Sequence, residues 1–236
     1  MLEAKDLRLQ LGDRRVLGGV SFSLAAGRCL AVFGVNGAGK TSLLSLLALQ
    51  RTPNAGSLRL FGAEAAVDDL ALRRRLGYLG HEPGVYLGLT GYENLLLYAR
   101  LYQLADAKEH ALAALRGVGL APFRHTLVRS SSAGMRQPLG LARTLLHQPE
   151  ILLLDEPHQS LDRRGQDLLD QLVAEHCARD GAAVIATHET ERALGLATDV
   201  MVLSRGRVAF MAPLAGTPRA MVEQALGDAL GGGGLC

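Results

Sequence analysis

The chain has 236 residues, room for one large domain with a subdomain and for a sizeable buried core. Hydrophobic residues make up 48% but aromatics only 4%, with no Trp, so the core must be built from Leu, Val, Ala and Ile. With 25 basic against 23 acidic residues the net charge is +2, which gives no reason to expect a nucleic-acid surface.

The cysteines Cys29, Cys177 and Cys236 are odd in number and scattered. That argues against a disulfide framework or a zinc site and fits a reducing cytosol. The opening "MLEAKDLRLQ" carries charges where a secretory signal needs an apolar run. Every apolar run falls well short of the ~18 residues that cross a bilayer. Any work at a membrane is therefore expected to go through a partner chain.

The opening residues "LEAKDLRLQL" and "GVSFSL" alternate like strands around the turn "GDRR". "RCLAVF" (28–33) reads as a buried strand, followed by a glycine-rich turn and the helix "KTSLLSLLAL". "GSLRLFG" is a short strand between breakers. From about 84 to 149 the pattern turns helical. Thr90 and Glu93 form a capping box before "YENLLLYARLYQL", "DAKEHALAALRGVGL" follows, and "MRQPLGLARTLLH" comes after the polar cluster "RSSSAG".

The block 84–149 thus reads as a helical subdomain inserted in an α/β core. The core pattern resumes with the strand "EILLLDE", the helix "GQDLLDQLVAEHCA" and the strand "AAVIATH". A hairpin "DVMVLSRGRVAFMA" turns at Arg205-Gly206, and a last helix follows Thr217-Pro218. Residues 1–230 are expected to form a single domain and 231–236 a flexible tail.

"GVNGAGKT" matches G-x-x-x-x-G-K-[ST] between a predicted strand and a predicted helix. Gly34, Val35, Asn36, Gly37, Ala38, Gly39, Lys40, Thr41 and Ser42 would wrap a nucleotide's phosphates with backbone N–H groups, favoured by the helix dipole. Lys40 would reach the β- and γ-phosphates, and the Thr41 hydroxyl would ligate Mg²⁺. An ordinary glycine turn is the bland alternative, and the strand–turn–helix context weighs against it. In "ILLLDE" four apolar residues precede two acids. Asp155 suits a carboxylate holding Mg²⁺, and Glu156 a base facing the attacking water.

His188, at the end of "AAVIATH", is either a solvated strand end or a ligand group. α/β sheets gather ligand groups at the carboxyl ends of their strands, where His188 would reach a γ-phosphate. Ser132, Ala133 and Gly134 make a small-residue helix start, in principle a second anion site.

In this order, "GVNGAGKT", "SSAGM", "LLLDEP", "QSLD" and His188 resemble the ATP-binding subunit of an ABC transporter, over about Leu2 to Ala212. The resemblance implies a P-loop NTPase with a RecA-like core, an antiparallel β-subdomain and a helical subdomain. It implies an ATPase using ATP and Mg²⁺, peripheral on the cytoplasmic face of the cell membrane, under integral membrane transporter subunits. It further implies a head-to-tail homodimer. Each ATP lies between the Lys40 loop of one chain and the Ser132/Gly134 signature of the other, with Asp162 in the intervening D-loop.

His81, in "YLGHEPG", stands where the family usually carries the Q-loop glutamine linking Mg²⁺ and water to the membrane partner. A solvated or structural turn residue is the alternative reading. With "LTGYENL", this histidine resembles the haem-exporter ATP-binding subunits of cytochrome c maturation. The ATPase of an ABC-2 type drug, lipid or polysaccharide exporter is the alternative, and a soluble ABC-type NTPase is a further one.

Two departures stand out. Leu11 occupies the place of the usual adenine-stacking aromatic, and the signature reads Ser131, Ala133 and Met135 for its Leu, first Gly and Gln. Pro138 is expected in the first turn of a helix beginning near Met135 to Gln137.

Overall fold

The computed structural model describes residues 1–231. Of the expected tail 231–236, all but Gly231, which closes the last helix, lies outside them. The elements run β1 Leu2–Leu11, β2 Arg14–Leu24, β3 Cys29–Phe33, α1 Lys40–Leu47, β4 Ala55–Leu60, β5 Ala63–Glu64, α2 Leu70–Arg73 and β6 Leu76–Leu79. There follow α3 Gly91–Leu101, α4 Ala107–Gly117, α5 Ala133–Leu145, β7 Ile151–Asp155, α6 Arg163–Ala178, β8 Ala182–Ala186, α7 Thr190–Leu196, β9 Asp199–Ser204, β10 Arg207–Pro213 and α8 Arg219–Gly231.

Two sheets organise the chain. One is antiparallel, in the order β2-β1-β4-β5. The other runs β10-β9-β3-β8-β7-β6, all parallel except its edge strand β10. β3, β7 and β8 read as unbroken apolar runs because both faces of this sheet are covered. One face packs with α1 and the antiparallel sheet through Leu7, Leu17, Leu30, Leu43, Leu47 and Leu153. The other meets α5 and α6 through Leu141, Leu152, Leu154, Leu169 and Val173.

The short strand β6 is absent from the sequence reading, which saw only the turn after it. It adds the fifth parallel strand and carries "GHEP" to the sheet's carboxyl edge, beside β7.

The helical subdomain, α3 to α5, closes around Leu95, Ala111, Leu115, Val128 and Leu139. The capping box forms in full: Glu93 N–H donates to Thr90 Oγ1 at 3.2 Å and Thr90 N–H donates to Glu93 Oε2 at 2.8 Å. α5 departs from expectation. It starts at Ala133, with Ser132 as N-cap, so Pro138 lies beyond the first turn and not within it. The reason is local: the Ser132 carbonyl already accepts from Met135 N–H at 3.1 Å and Arg136 N–H at 3.2 Å. Pro138 then withholds the N–H that would have met the carbonyl of Gly134.

Candidate active site

The loop between β3 and α1 leaves the centre of the parallel sheet, and its glycines are required by contacts. At Gly34 a Cβ would lie 2.4 Å from the Leu203 carbonyl oxygen. At Gly39, with φ 109°, it would lie 2.8 Å from Leu17 Cδ2 and 3.1 Å from the Val16 oxygen. The β1–β2 hairpin and the β9–β10 turn thus clamp the loop from outside. Gly206 N–H donates to the Ala38 oxygen at 3.0 Å, and Gly18 N–H to the Gly206 oxygen at 2.8 Å. The loop is held open as an N–H-lined cradle at a helix N-terminus.

Lys40 opens α1 and is buried; its ammonium donates to the Gly34 oxygen at 2.8 Å and lies 3.7 Å from Glu156 Oε1. A charged lysine held this far inside needs acceptors, and a nucleotide's phosphates are stronger ones than a carbonyl. Glu156 follows β7 in left-handed backbone, φ 48°, anchored by its N–H to the Ala186 oxygen at 2.8 Å. That turn aims the carboxylate across the sheet edge. His188, two residues beyond β8, meets its Oε2 through Nδ1 at 2.9 Å and donates its backbone N–H at 3.3 Å. His188 therefore lies just past the strand end, on a loop, with its side chain exposed.

Asp155 is buried, and neither carboxylate oxygen completes a hydrogen bond. Burial pushes its carboxyl up; the Thr41 hydroxyl pulls it down, Glu156 raises it, and the charges of Lys40 and His81 pull it down. The Thr41 hydroxyl is thus near enough to act on Asp155 without closing a well-aligned bond. An orphaned, buried carboxylate beside a threonine hydroxyl is a hard-oxygen donor set that suits Mg²⁺, which takes few protein ligands and keeps phosphate and water for the rest. Among the described residues no group of three or more His, Cys, Asp or Glu forms a metal cluster. His81 is exposed, just beyond β6, and makes no hydrogen bond among the described residues, but its charge is felt at Asp155.

The structure brings Gly34 to Ser42, Asp155, Glu156 and His188 together at one sheet edge, with His81 alongside. It does not bring Ser132 and Gly134 there. Both are exposed at the start of α5, no side chain caps that helix, and Gly134 faces Ser160 of the loop after Glu156. Asp162 in that loop caps α6, accepting from Gly165 N–H at 2.8 Å through Oδ1.

Sequence reasoning passed over two features. Arg14, in register with Leu11 at the hairpin tip, lays its guanidinium over Gly37. In addition, His158 is fully buried and its Nε2 meets Asp170 Oδ1 at 2.7 Å. Asp170 Oδ2 accepts from Arg192 at 2.6 Å, and Arg192 also donates to Asp167 at 3.0 Å. This brace ties the Glu156–Asp162 loop to α7, which begins two residues after His188. The signal was present in the sequence: Asp167 and Asp170 are spaced i,i+3 on one helix face, behind a histidine that follows "LLLDEP" at once.

A phosphate cradle, a buried lysine, an orphaned metal-type carboxylate and a glutamate aimed over them define a P-loop NTPase. The comparisons narrow this. The profile of the ABC transporter family matches residues 17–159. The chain is 39% identical, over 85% of its length and 95% of the relative's, to the cytochrome c biogenesis ATP-binding export protein CcmA 2 of Cupriavidus metallidurans. It is 36% identical, over 80% and 89%, to the cytochrome c biogenesis ATP-binding export protein CcmA of Escherichia coli.

Among solved structures, an ATP-binding subunit of an ABC transporter superposes with a TM-score of 0.85 at 27% identity, over 98% of this chain and 97% of that one. A dimeric ATP-binding cassette in a post-hydrolysis state, bound to ADP and Pi, shares the fold with a TM-score of 0.82 at 22% identity, over 92% and 100%. The chain belongs to the ABC transporter family, as an ATP-hydrolysing cassette. Among the described residues no helix is long and apolar enough to cross a membrane.

Proposed function

We propose that this chain hydrolyses ATP to drive an export complex of cytochrome c biogenesis, carrying haem or releasing a haem chaperone. The observation that carries the chemistry is Glu156, held over the phosphate cradle by His188 and lying 3.7 Å from Lys40. Lys40, with the N–H groups of Gly34 to Ser42, binds the β- and γ-phosphates. Thr41 and Asp155 would hold Mg²⁺, with His81 beside them; when bound, the ion neutralises charge on the transferring phosphoryl group. Glu156 orients water and takes its proton, a contribution of roughly 10²–10⁴ in rate. His188 fixes the Glu156 carboxylate and reaches the γ-phosphate.

The active species is a head-to-tail homodimer. Ser132 and Gly134 stand away from the cradle of their own chain with their helix start open, which suits them to the γ-phosphate of a partner's ATP. Asp162 keeps one carboxylate oxygen beyond its capping bond for that interface. Integral membrane subunits dock from the cytoplasmic side. A groove of 740 Å³ between the core and the helical subdomain, lined by Gln50, Arg73, Arg74, Tyr98, Tyr102 and Arg143, opens beside Gly80 and Glu82. His81 stands between those two residues and so links the groove to Asp155. The relatives' names favour the cytochrome c biogenesis branch over drug, lipid or polysaccharide export.

Purifying the chain from native membranes and identifying its integral partners tests the branch. A cytochrome c biogenesis membrane subunit is expected, and a drug or polysaccharide permease would reject it. In the same complex His81→Gln is expected to keep basal ATPase within about twofold while changing the stimulation by the membrane partner. Loss of nucleotide binding in that variant would reject the linking role.

A further inference from the structure

Cys29 and Cys177 lie 148 positions apart in sequence but side by side in the fold. Cys29 is in β3, buried, with its thiol turned to the face that α6 covers. Cys177 is in the last turn of α6, partly exposed, with its Sγ 3.8 Å from the carbonyl oxygen of Arg28, the residue just before Cys29. Cys29 belongs to the apolar cluster beneath α6, Cys177 packs against that same cluster, and neither thiol is in a disulfide.

The pair is asymmetric. The neighbouring Cys29 thiol favours the thiolate of Cys177 and lowers its pKa, although burial opposes this. The proximity of Cys177, with burial, pushes Cys29 well up. One thiol is thus reachable and easier to ionise, the other buried, protonated and in contact with it. Redox-responsive cysteines share this arrangement of an accessible thiolate next to a resolving thiol. The ATPase chemistry uses neither residue.

We propose that Cys177 and Cys29 form a peroxide-responsive dithiol that closes to an intramolecular disulfide, with Cys177 attacking and Cys29 resolving. The Cys177 thiolate attacks one oxygen of hydrogen peroxide; an S–O bond forms, the O–O bond breaks, and the departing hydroxide takes a proton to become water. The Cys29 sulfur then attacks the sulfenic sulfur; the S–S bond forms, the S–O bond breaks, and the Cys29 proton leaves with the oxygen as a second water. Two thiols are oxidised by two electrons and one peroxide is reduced to two waters. A dithiol reductant reverses the step by exchange. β3 is hydrogen-bonded on both sides, to β8 and β9, so the last turn of α6 takes up the movement.

The test uses the full chain carrying Cys236→Ser, which leaves only these two thiols, and hydrogen peroxide at a few equivalents. Expected is a monomer lighter by about 2 Da, a cross-linked Cys29–Cys177 peptide, and full recovery with dithiothreitol. Adding Cys177→Ser should abolish peroxide consumption at that dose. Adding Cys29→Ser, or the apolar Cys29→Ala where serine disturbs the core, should leave a sulfenic acid on Cys177 that dimedone captures. The proposal is overturned if Cys177 goes to sulfinic acid with Cys29 intact, if Cys177→Ser consumes peroxide as fast as its parent, or if only intermolecular disulfides form.

Discussion

The starts of α1 and α5 are built in opposite ways. At α1 the loop is clamped by two turns, Lys40 is buried, and two sheet strands, β7 and β8, deliver Asp155, Glu156 and His188 to it. At α5 the cap is bare: Ser132 makes no capping bond, Gly134 is exposed, and the nearest neighbour is the backbone of Ser160. The first start is assembled by one chain. The second has the exposure and unspent N–H groups of a surface that is completed by something else. In the head-to-tail dimer proposed above, a cassette with both features holds half of each of two sites.

The largest effect that tests this comparison is Lys40→Ala. It removes the buried ammonium from the cradle and is expected to abolish ATP binding or turnover; full activity would overturn the assignment of the loop. Gly134→Asp should also abolish turnover, by placing a carboxylate against the partner's phosphate. The added Cβ meets Ser160 only at ordinary contact distance, 3.5 Å, so the variant should fold. Mixing the two inactive variants then restores one intact composite site per mixed dimer, roughly a quarter of wild-type activity for random pairing. Mixtures as dead as their parents would break the two-chain reading.

Glu156→Gln comes next. It keeps the shape of the side chain but not its basicity, so hydrolysis should slow at least ~10²-fold while ATP still binds. Gel filtration with ATP should then show a dimer. A variant that stays monomeric under saturating ATP would count against the sandwich.

Most of the cradle was legible in the sequence because its chemistry is contiguous. Eight consecutive residues from Gly34 to Thr41 specify the cradle, and "LLLDE" specifies both strand and acids. β6 was not, because four residues with a glycine in the middle give too little alternation to read; its strand character comes from pairing with β7. The start of α5 was misplaced because propensity alone sets Pro138 near a helix end, whereas the Ser132 carbonyl had already begun the helix. Of the His158–Asp170–Arg192 brace the sequence shows only its local end, the i,i+3 acids of α6; the fold alone brings His158 and Arg192 to them.

That brace gives a smaller test on the self-sufficient side. His158→Phe fills the same volume but offers Asp170 no partner, leaving the carboxylate to Arg192 alone. The loop carrying Glu156 loosens relative to α7, and kcat is expected to fall on the order of 2–5-fold with KM for ATP unchanged. His158→Gln, which can still donate to Asp170, should restore most of it. A change in KM alone would mean that the brace acts on nucleotide binding instead.

The smallest effect is one of stability, and its sign is opposite to that on activity. Asp155 is buried with both oxygens unpartnered, and its carboxyl is pushed up chiefly by that burial. A carboxyl whose folded pKa lies above its unfolded one favours the fold most when protonated. That contribution is complete below the unfolded value and is lost as pH rises through the folded one. The ionised carboxylate is thus the form that burial penalises in the nucleotide-free chain, offset only in part by Thr41, Lys40 and His81. Asp155→Asn removes the charge and should raise the Tm of the nucleotide-free protein at pH 7.5 by roughly 2–4 °C for each kcal/mol recovered. The gap should narrow as pH falls into the carboxylate range, and Mg²⁺-dependent hydrolysis should be lost at every pH. If the variant melts lower than wild type at pH 7.5, Asp155 is satisfied in the free chain, and this side of the site is less strained than its unpaired oxygens imply.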